Sequence, residues 1–291
     1  MTSLTLRRRT SLVTLSVAAL AAATLAPLTP ASAAPTTGLD LDPIGYNIVD
    51  GAQDLENPIT DDDLTADQGL TSTEASNGSV PDSRKIIGED DREQVEDTTG
   101  SPHRRVGQIQ YFEHGGSYTC TGWLISPDTV ATAGHCVPAD AQDITFSPGR
   151  NGSEKPFGTQ NATEVWHDTD SARDHDWAAI KLDEPIGETV GWFGIASNDG
   201  QDLTGEDARV IGYPGDKAYA TMWQHTGTIG TTTSRQIHYD TDTAGGQSGS
   251  AVTDGPGETA YAIHTSGTSQ RNVGLRLTGE LFNTLVGITE R

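Results

Sequence analysis

Three short segments of the 291-residue chain carry side chains that could act together in nucleophilic catalysis. They are "ATAGHCVPA" around His135, "RDHDWAAIKL" around Asp176 and "YDTDTAGGQSGSAV" around Ser248. A serine hydroxyl becomes a nucleophile when a histidine accepts its proton and a buried carboxylate orients that histidine. We favour Asp176 over Asp174 because it directly precedes the apolar run. Each residue also has a plainer interpretation: a flexible linker for Ser248, an exposed or structural histidine for His135, and a turn residue for Asp176.

The glycines around Ser248 predict a tight turn. A phosphate-binding loop is disfavoured because neither a lysine nor a helix-forming run follows, and the G-x-S-x-G pattern fails because position 250 is serine. In such a turn, Gly246 can bring its N–H close to a reacting carbonyl. We therefore interpret the N–H groups of Gly246 and Ser248 as donors to an oxyanion, each worth about 3–4 kcal/mol.

The chain has two cysteines, and Cys136 directly follows His135. Pairing with Cys120, sixteen residues upstream, is the default expectation for an exported chain with no other cysteine. The disulfide would stabilise the fold by about 3 kcal/mol and hold the chain in place beside His135. A zinc site is disfavoured because no further cysteine or suitably spaced histidine accompanies the pair. We expect no metal ligand among the site residues and no cofactor.

The segments that must position these side chains resemble strands. Short apolar or alternating runs recur between Gly, Pro, Asn and Asp, at the close spacing typical of an all-β sandwich or barrel pair. The runs are 107–112, 119–126, 129–133, 143–147, 162–167, 177–182, 208–213, 219–226, 235–239, 249–253, 259–264 and 273–277. Residues 184–207 are rich in glycine and acids and are predicted to cross between two halves. We predict an all-β body of two barrels with a cleft between them.

One helix is predicted, close to the C-terminus. Thr278 can cap it, and Glu280 lies in its first turn. Its apolar face is formed by Leu281, Phe282, Leu285 and Val286.

The N-terminal part of the chain has a different composition. Residues 1–33 are typical of a secretory signal peptide, with arginines, an apolar run and an A-x-A site at Ala31–Ala33. A membrane anchor is the alternative, but the run is short and ends in Pro27 and Pro30. Residues 34–84 hold eleven acidic residues and one basic residue, too polar to fold firmly alone. Composition therefore predicts a disordered or weakly structured segment, either a spacer or a propeptide.

The formal net charge of the chain is −23. Nucleic acid and anionic membrane surfaces would be repelled by a protein of this charge. We therefore expect neither as a partner.

The order His135, Asp176, Ser248 resembles that of trypsin-like serine proteases and differs from the α/β-hydrolase order. The segments "TAGHC", "DWAAIKL" and "GGQSGSAV" are similar to the three signature segments of that family. Residues 85–291 are more similar still to the secreted bacterial glutamyl endopeptidases. The similar segments are "IIGEDDRE", "CTGWLISPDTVATAGHC", "SPGRNG", "EPIGETVGWFG", "GYPGDK" and "MWQHTG", in the same order. The resemblance implies two antiparallel six-stranded β-barrels, with His135 as general base, Asp176 as its orienting partner and Ser248 as nucleophile.

The resemblance also implies how a substrate is recognised. In glutamyl endopeptidases, a threonine shortly before the serine and a histidine in the following strand bind an acidic side chain, and the matching residues are Thr243 and His264. A hydroxyl and an imidazole can solvate a carboxylate without the full charge of an arginine. On the residues alone, a strand histidine with no ligand role is an equally good interpretation of His264.

Gln247 stands where most trypsin-like enzymes have an aspartate that pairs with the new N-terminal amine. The glutamyl endopeptidases share this departure, and their mature N-terminus contributes positive charge near the bound acidic residue. The resemblance therefore implies cleavage near Arg84–Lys85, with residues 34–84 as the propeptide and 85–291 as the protease domain.

We predict a secreted, extracellular, monomeric serine endopeptidase that is made as a zymogen and binds its own propeptide. Its substrates are predicted to be proteins or peptides cut after Glu and less well after Asp. The alternatives are a protease of other specificity on the same fold and a catalytically silent binding protein on the same scaffold.

Overall fold

The computed structural model describes residues 41–60, 64, 86–255, 259–268 and 270–291. The predicted signal peptide, residues 1–33, and the predicted cleavage point at Arg84–Lys85 lie outside these residues. Among the described residues, no helix is long and apolar enough to cross a membrane.

Seventeen strands and two α-helices make up the described part of the chain. In chain order the strands are β1 (Pro43–Val49), β2 (Ala52–Gln53), β3 (Ile59–Thr60), β4 (Glu93–Gln94), β5 (Val106–Glu113), β6 (Gly116–Leu124), β7 (Thr129–Thr132), β8 (Gln142–Pro148), β9 (Gln160–Asp168), β10 (Ala178–Leu182), β11 (Gly194–Ile195), β12 (Asp207–Gly212), β13 (Trp223–Thr232), β14 (Gln236–Tyr239), β15 (Ala251–Thr253), β16 (Thr259–Gly267) and β17 (Asn272–Arg276). The helices are α1 (Gly187–Val190) and α2 (Gly279–Thr289), and short 3₁₀ helices cover His103–Arg105 and Gly134–Cys136. Each of the predicted runs overlaps one of these strands, so the strand predictions are confirmed.

The first barrel is formed by β5 to β10. Its pairings run β8–β5–β6–β7–β10–β9 and return to β8, so the sheet closes on itself. All of these pairings are antiparallel. Large apolar side chains fill its interior, among them Ile109, Trp123, Val130, Val165 and Ile180.

The second barrel is formed by β12 to β17. Its pairings run β12–β13–β14–β17–β16–β15 and return to β12, again antiparallel throughout. Val210, Ile229, Ile237, Tyr239 and Val252 are buried together inside it. The prediction of two antiparallel six-stranded barrels is therefore confirmed. Residues 184–207, the predicted crossing, contain the short elements α1 and β11 that the pattern did not reveal.

The C-terminal helix is confirmed together with its cap. The Thr278 side chain accepts a hydrogen bond from the backbone N–H of Leu281 at 3.4 Å. Leu281, Leu285 and Ile288 are the buried apolar residues of α2, one turn apart along one face. The predicted face differs in part, because Phe282 and Val286 are only half-buried.

The acidic N-terminal segment differs from the prediction over residues 41–60. Composition predicted a disordered or weakly structured segment, but these residues form β1, β2 and β3 within the first sheet. Five residues of β1, Pro43 to Asn47, pair antiparallel with Asp168 to Glu164 of β9. A segment too polar to build its own core can still be ordered by adding backbone hydrogen bonds to an existing sheet.

Candidate active site

Two neighbouring strands bring His135 and Asp176 together. His135 lies in the 3₁₀ turn directly after β7, Asp176 lies just before β10, and β7 and β10 pair antiparallel. The His135 Nδ1 is 2.8 Å from Asp176 Oδ2, and the backbone N–H of His135 donates to Asp176 Oδ1 at 2.9 Å. The carboxylate is 5% exposed and the imidazole 37% exposed. A buried carboxylate thus holds Nδ1 of an accessible histidine, as a general base requires.

The predicted disulfide is present, and it contacts the serine loop, residues 241–250. Cys120 of β6 is bonded to Cys136, the residue after His135. The Cys136 Sγ lies 3.7 Å from the carbonyl oxygen of Ser248. The disulfide therefore packs against the backbone of Ser248 and holds β6 to the turn that carries His135.

The serine loop is held by both barrels. Thr121 of β6 donates its hydroxyl to the Gly246 carbonyl at 2.8 Å and its N–H to the Ser248 carbonyl at 2.9 Å. From β16, the His264 carbonyl accepts the N–H of Gly249 at 2.7 Å. The groups of the loop that these bonds occupy are the carbonyls of Gly246 and Ser248 and the N–H of Gly249. The N–H groups of Gly246 and Ser248 make no backbone hydrogen bond to the described residues. Both N–H groups remain available to a bound oxygen atom.

Gln247 is fully buried, and it contacts an arginine that sequence reasoning missed. Its Oε1 accepts the N–H of Ala244 at 2.9 Å and lies 3.4 Å from Arg92 Nη1. The Arg92 side chain is completely buried and forms ion pairs with Asp90 at 2.9 Å and Asp216 at 2.6 Å. This guanidinium holds the pKa of Asp90 well below its usual value. The only sequence signal was a lone arginine among the acids of "GEDDRE".

Asp242 is a second residue that sequence reasoning missed. Its buried carboxylate accepts the backbone N–H of Ile87 at 2.7 Å and that of Asp91 at 3.0 Å. Asp242 directly precedes Thr243, which is buried as well. The chain that begins after the predicted cleavage point is therefore bound next to a predicted specificity residue.

His264 is buried on β16, beside the serine loop. The Tyr239 hydroxyl lies 2.6 Å from its Nδ1. Burial, and to a lesser degree the charge of His135, lowers the pKa of His264 to about 4. Burial also raises the pKa of Tyr239 well above its usual value, so the phenol keeps its proton. At neutral pH, His264 is therefore an uncharged imidazole whose Nδ1 is hydrogen-bonded to a tyrosine.

A second Asp–His pair lies next to the first. Asp168 Oδ2 is 2.9 Å from His175 Nδ1, and both side chains are almost fully buried. The ring Nδ1 makes no well-aligned hydrogen bond to the carboxylate, and Arg235 Nη1 lies 3.4 Å from the other ring nitrogen, Nε2. The Asp168 carboxylate raises the pKa of His175, and this effect outweighs burial and the charge of Arg235, which both lower it. Both pairs border a cavity of about 240 Å³ on the first-barrel side of the cleft.

Replacing Asp168 with Asn is expected to reduce the part of the pH dependence of folding stability that comes from His175. The folded pKa of His175 lies above its unfolded value of about 6.5, so the stabilisation is complete below that value and is lost as the pH rises through the folded pKa. Burial lowers the pKa values of three other histidines, His103, His238 and His264, so their contribution to stability changes with pH in the opposite direction. The informative quantity is therefore the difference in Tm between wild type and variant, followed from about pH 5 to about pH 9. A difference that fails to shrink with rising pH would contradict this role.

A model of the trypsin-like peptidase domain matches residues 120–262. The chain is 40% identical over 222 residues to the glutamyl endopeptidase of Bacillus licheniformis, covering 69% of this chain and 68% of the relative. It is 41% identical over 214 residues to a protein of Bacillus subtilis named extracellular metalloprotease, covering 69% of this chain and 68% of that relative. A solved structure of a Glu endopeptidase in complex with MPD matches with a TM-score of 0.65 and 31% identity, over 71% of this chain and 100% of that one.

The described residues do not fit the catalytic metal centre that the name of the second relative implies. Two clusters bring metal-ligating residue types together, and in the first, His135 lies between two cysteines that are bonded to each other and offer no thiolate. The second consists of Glu113, His114 and Asp140. These lie on the hairpin of β5 and β6 and on the loop before β8, and the His114 and Asp140 side chains are exposed. We derive no step through a metal.

The comparisons agree with the fold. The likeness extends over about two thirds of both chains in the first two relatives, which is more than three short motifs could produce. The two closed barrels and the disulfide beside His135 are found independently of it. The chain is therefore a serine endopeptidase and belongs to the glutamyl endopeptidase family of trypsin-like proteases.

Proposed function

We propose that this protein is a secreted, monomeric endopeptidase that cuts proteins after Glu, and less well after Asp, with His135, Asp176 and Ser248 as its catalytic residues. The observation that carries the catalytic assignment is the 2.8 Å contact between His135 Nδ1 and the buried Asp176 carboxylate, next to the disulfide that packs on Ser248. The glutamate preference is supported by the named relative and by the buried, neutral His264 beside the serine loop.

The proposed reaction passes through an acyl-enzyme. Ser248 Oγ attacks the scissile carbonyl while His135 Nε2 takes the hydroxyl proton, and Asp176 stabilises the imidazolium that forms. The N–H groups of Gly246 and Ser248 donate to the developing oxyanion. His135 then gives its proton to the leaving amine, and a water molecule activated by the same histidine hydrolyses the ester.

The proposed specificity rests on the tautomer of His264. If the Tyr239 hydroxyl donates to Nδ1, the neutral ring carries its proton on Nε2 and can donate that N–H to a substrate carboxylate. The Thr243 hydroxyl adds a second donor. Because His264 is uncharged in the free enzyme, the positive charge that a glutamate needs comes from the mature N-terminus, whose segment is bound to Asp242.

A peptide panel tests both the activity and the specificity. Peptides that differ only in the residue before the cut, carrying Glu, Asp, Gln, Lys or Phe, are incubated with matured enzyme and with Ser248→Ala. We expect turnover in the order Glu, then Asp, with Gln far behind, and only residual turnover by Ser248→Ala. A preference for Lys or Phe would overturn the specificity and leave the fold intact. Failure of an organophosphate to label Ser248 would instead favour the catalytically silent binding protein.

Replacing Tyr239 with Phe is expected to lower kcat/KM for the Glu peptide by about tenfold, because one hydrogen bond that selects the His264 tautomer is lost. The ratio of Glu to Gln turnover should fall in parallel, since a hydrogen bond to a charged carboxylate is stronger than one to the neutral amide of Gln. Tyr261→Phe is the matched control: it removes a phenol hydroxyl that contacts the carbonyls of Asp207 and Thr253 in the same barrel. An unchanged Glu-to-Gln ratio in Tyr239→Phe would remove Tyr239 from the proposal.

A further inference from the structure

The β1–β2 hairpin lies where the first barrel opens. Strands β8 and β9 pair with each other only at Thr145–Asn161 and Phe146–Gln160. Beyond that point the strands separate, and β1 pairs with the free part of β9 while Ala52 of β2 pairs with Gln142 of β8. The hairpin therefore fills the gap between two strands of the protease barrel. Without it, both strand edges would be left without partners.

Side chains of residues 41–60 pack against the core of the first barrel. Ile59 is buried, and Leu41, Tyr46 and Ile48 contact the same apolar cluster. Gly45 is packed so closely that a Cβ at this position would lie 2.5 Å from the Trp166 ring. The segment thus has a fitted surface in addition to its backbone pairing.

The same segment contacts the loops that carry the catalytic pair. Gln53 Nε2 donates to the carbonyls of Val137 and Pro138 at 3.3 and 2.8 Å, directly after His135 and Cys136. Asp42 accepts the N–H and the hydroxyl of Thr169 at 3.0 and 2.8 Å, in the loop between β9 and Asp176. Both loops border the cavity next to the Asp–His pairs.

We propose that residues 41–60 remain bound to residues 86–291 after the chain is cut between them, as a non-covalent part of the first barrel. The mature enzyme is then a two-chain molecule, and the retained segment orders the loops after His135 and before Asp176. The inference rests on the maturation cut of the proposed function, but not on the specificity for Glu. Three observations support it: β1 and β2 add strands at a gap in the sheet, Ile59 is buried in the apolar cluster, and side chains of the segment bond to the loops after His135 and before Asp176.

A cut made by a foreign protease tests the retention separately from the activity. The full chain is prepared as Ser248→Ala, with a site for a sequence-specific protease placed within residues 65–85, and complete cutting is verified on a denaturing gel. We expect size-exclusion chromatography and native mass spectrometry to show both pieces in one 1:1 complex that separates only in denaturant. Elution of the N-terminal piece apart from residues 86–291 would overturn the proposal. Neither result depends on which peptide bonds the active enzyme cuts.

Substitutions in β1 provide the matched comparison. Gly45→Val should release the cut piece, because its side chain collides with Trp166, whereas Val49→Ala on the same strand should retain it, since Val49 is 53% exposed. Gln53→Ala is a milder change that removes only the bonds to Val137 and Pro138. It should weaken retention measurably without unfolding the barrel. Retention of the piece in Gly45→Val would contradict the fitted packing.

Hydrogen exchange tests the effect on the loops. In the cut complex, the amides of residues 137–141 and 169–171 should exchange as slowly as in the intact chain, and they should exchange at least several-fold faster once the piece has been removed. Strands β13 and β14 of the second barrel serve as the internal reference for residues that stay folded. Equal exchange of both loops with and without the piece would show that the segment does not order the catalytic region.

Discussion

Replacing Asp176 with Asn is expected to lower kcat by about ten-thousand-fold while the protein stays folded. Asp176 uses both oxygens on His135: Oδ2 lies 2.8 Å from Nδ1, and Oδ1 accepts the backbone N–H at 2.9 Å. An asparagine has only one acceptor oxygen, which the backbone N–H retains, so its NH₂ group turns toward Nδ1. His135 must then accept at Nδ1 and carry its proton on Nε2. In that tautomer, Nε2 cannot take the proton of Ser248.

The measurement is kcat on a Glu peptide at neutral pH, with Tm recorded for each variant. Asp168→Asn is the matched control, because it makes the same replacement in the neighbouring Asp–His pair, 2.9 Å apart, that does not involve His135. We expect its kcat to stay within about tenfold of wild type while its Tm falls. Asp176→Asn combined with Ser248→Ala should be no slower than Ser248→Ala alone, since the residues act as a unit. A folded Asp176→Asn variant with wild-type kcat would remove Asp176 from the catalytic assignment.

The strands of both barrels could be predicted because each has a signal within its own few residues. Apolar and polar side chains alternate between turn-forming residues, so β5 or β12 can be recognised without knowing its partner. The disulfide could be predicted for a similar reason, since a chain with two cysteines allows one pairing. The proximity of His135 and Asp176 followed from the resemblance, and it is realised through the pairing of β7 with β10.

Contacts between distant parts of the chain had no such local signal. Arg92 meets Asp216, 124 residues away, and whether a charged side chain is buried in an ion pair depends on the fold that brings its partners near. The bonds of Asp242 to the N-terminal segment and of Tyr239 to His264 were missed for the same reason. These residues support the serine loop and its surroundings, which explains why the candidate site could be located from the sequence but not completed.

The prediction for residues 41–60 failed in a different way. Composition reports whether a segment can bury enough apolar surface by itself, and this segment cannot. It is ordered because β1 and β2 pair with the parts of β9 and β8 that do not pair with each other, and because Ile59 and Gly45 pack against a core that already exists. No property of the segment alone reveals that a surface able to bind it lies elsewhere in the chain.

Replacing Gly246 with Ala is expected to lower kcat by about a hundred- to a thousand-fold with little change in KM. Gly246 has φ of +96°, and a Cβ there would lie 2.5 Å from the carbonyl oxygen of Tyr213 and 3.1 Å from the N of Gly215. Both neighbours are backbone atoms, so the alanine can be accommodated only if the Gly246 peptide moves. That movement displaces the N–H proposed to bind the oxyanion. Because the oxyanion exists only in the transition state and the tetrahedral intermediate, the loss should appear in kcat.

Gly205→Ala separates this displacement from the strain of a left-handed backbone. Gly205 has nearly the same φ, +94°, but a Cβ there would meet nothing within 4 Å. It should therefore lose about 1 kcal/mol of stability and keep its kcat. If Gly246→Ala lowers Tm by a similar amount and also loses kcat, the catalytic effect belongs to the displaced N–H group and not to strain. A Gly246→Ala variant that keeps kcat and raises KM would show instead that the loop positions the substrate, and the oxyanion would then need a different donor.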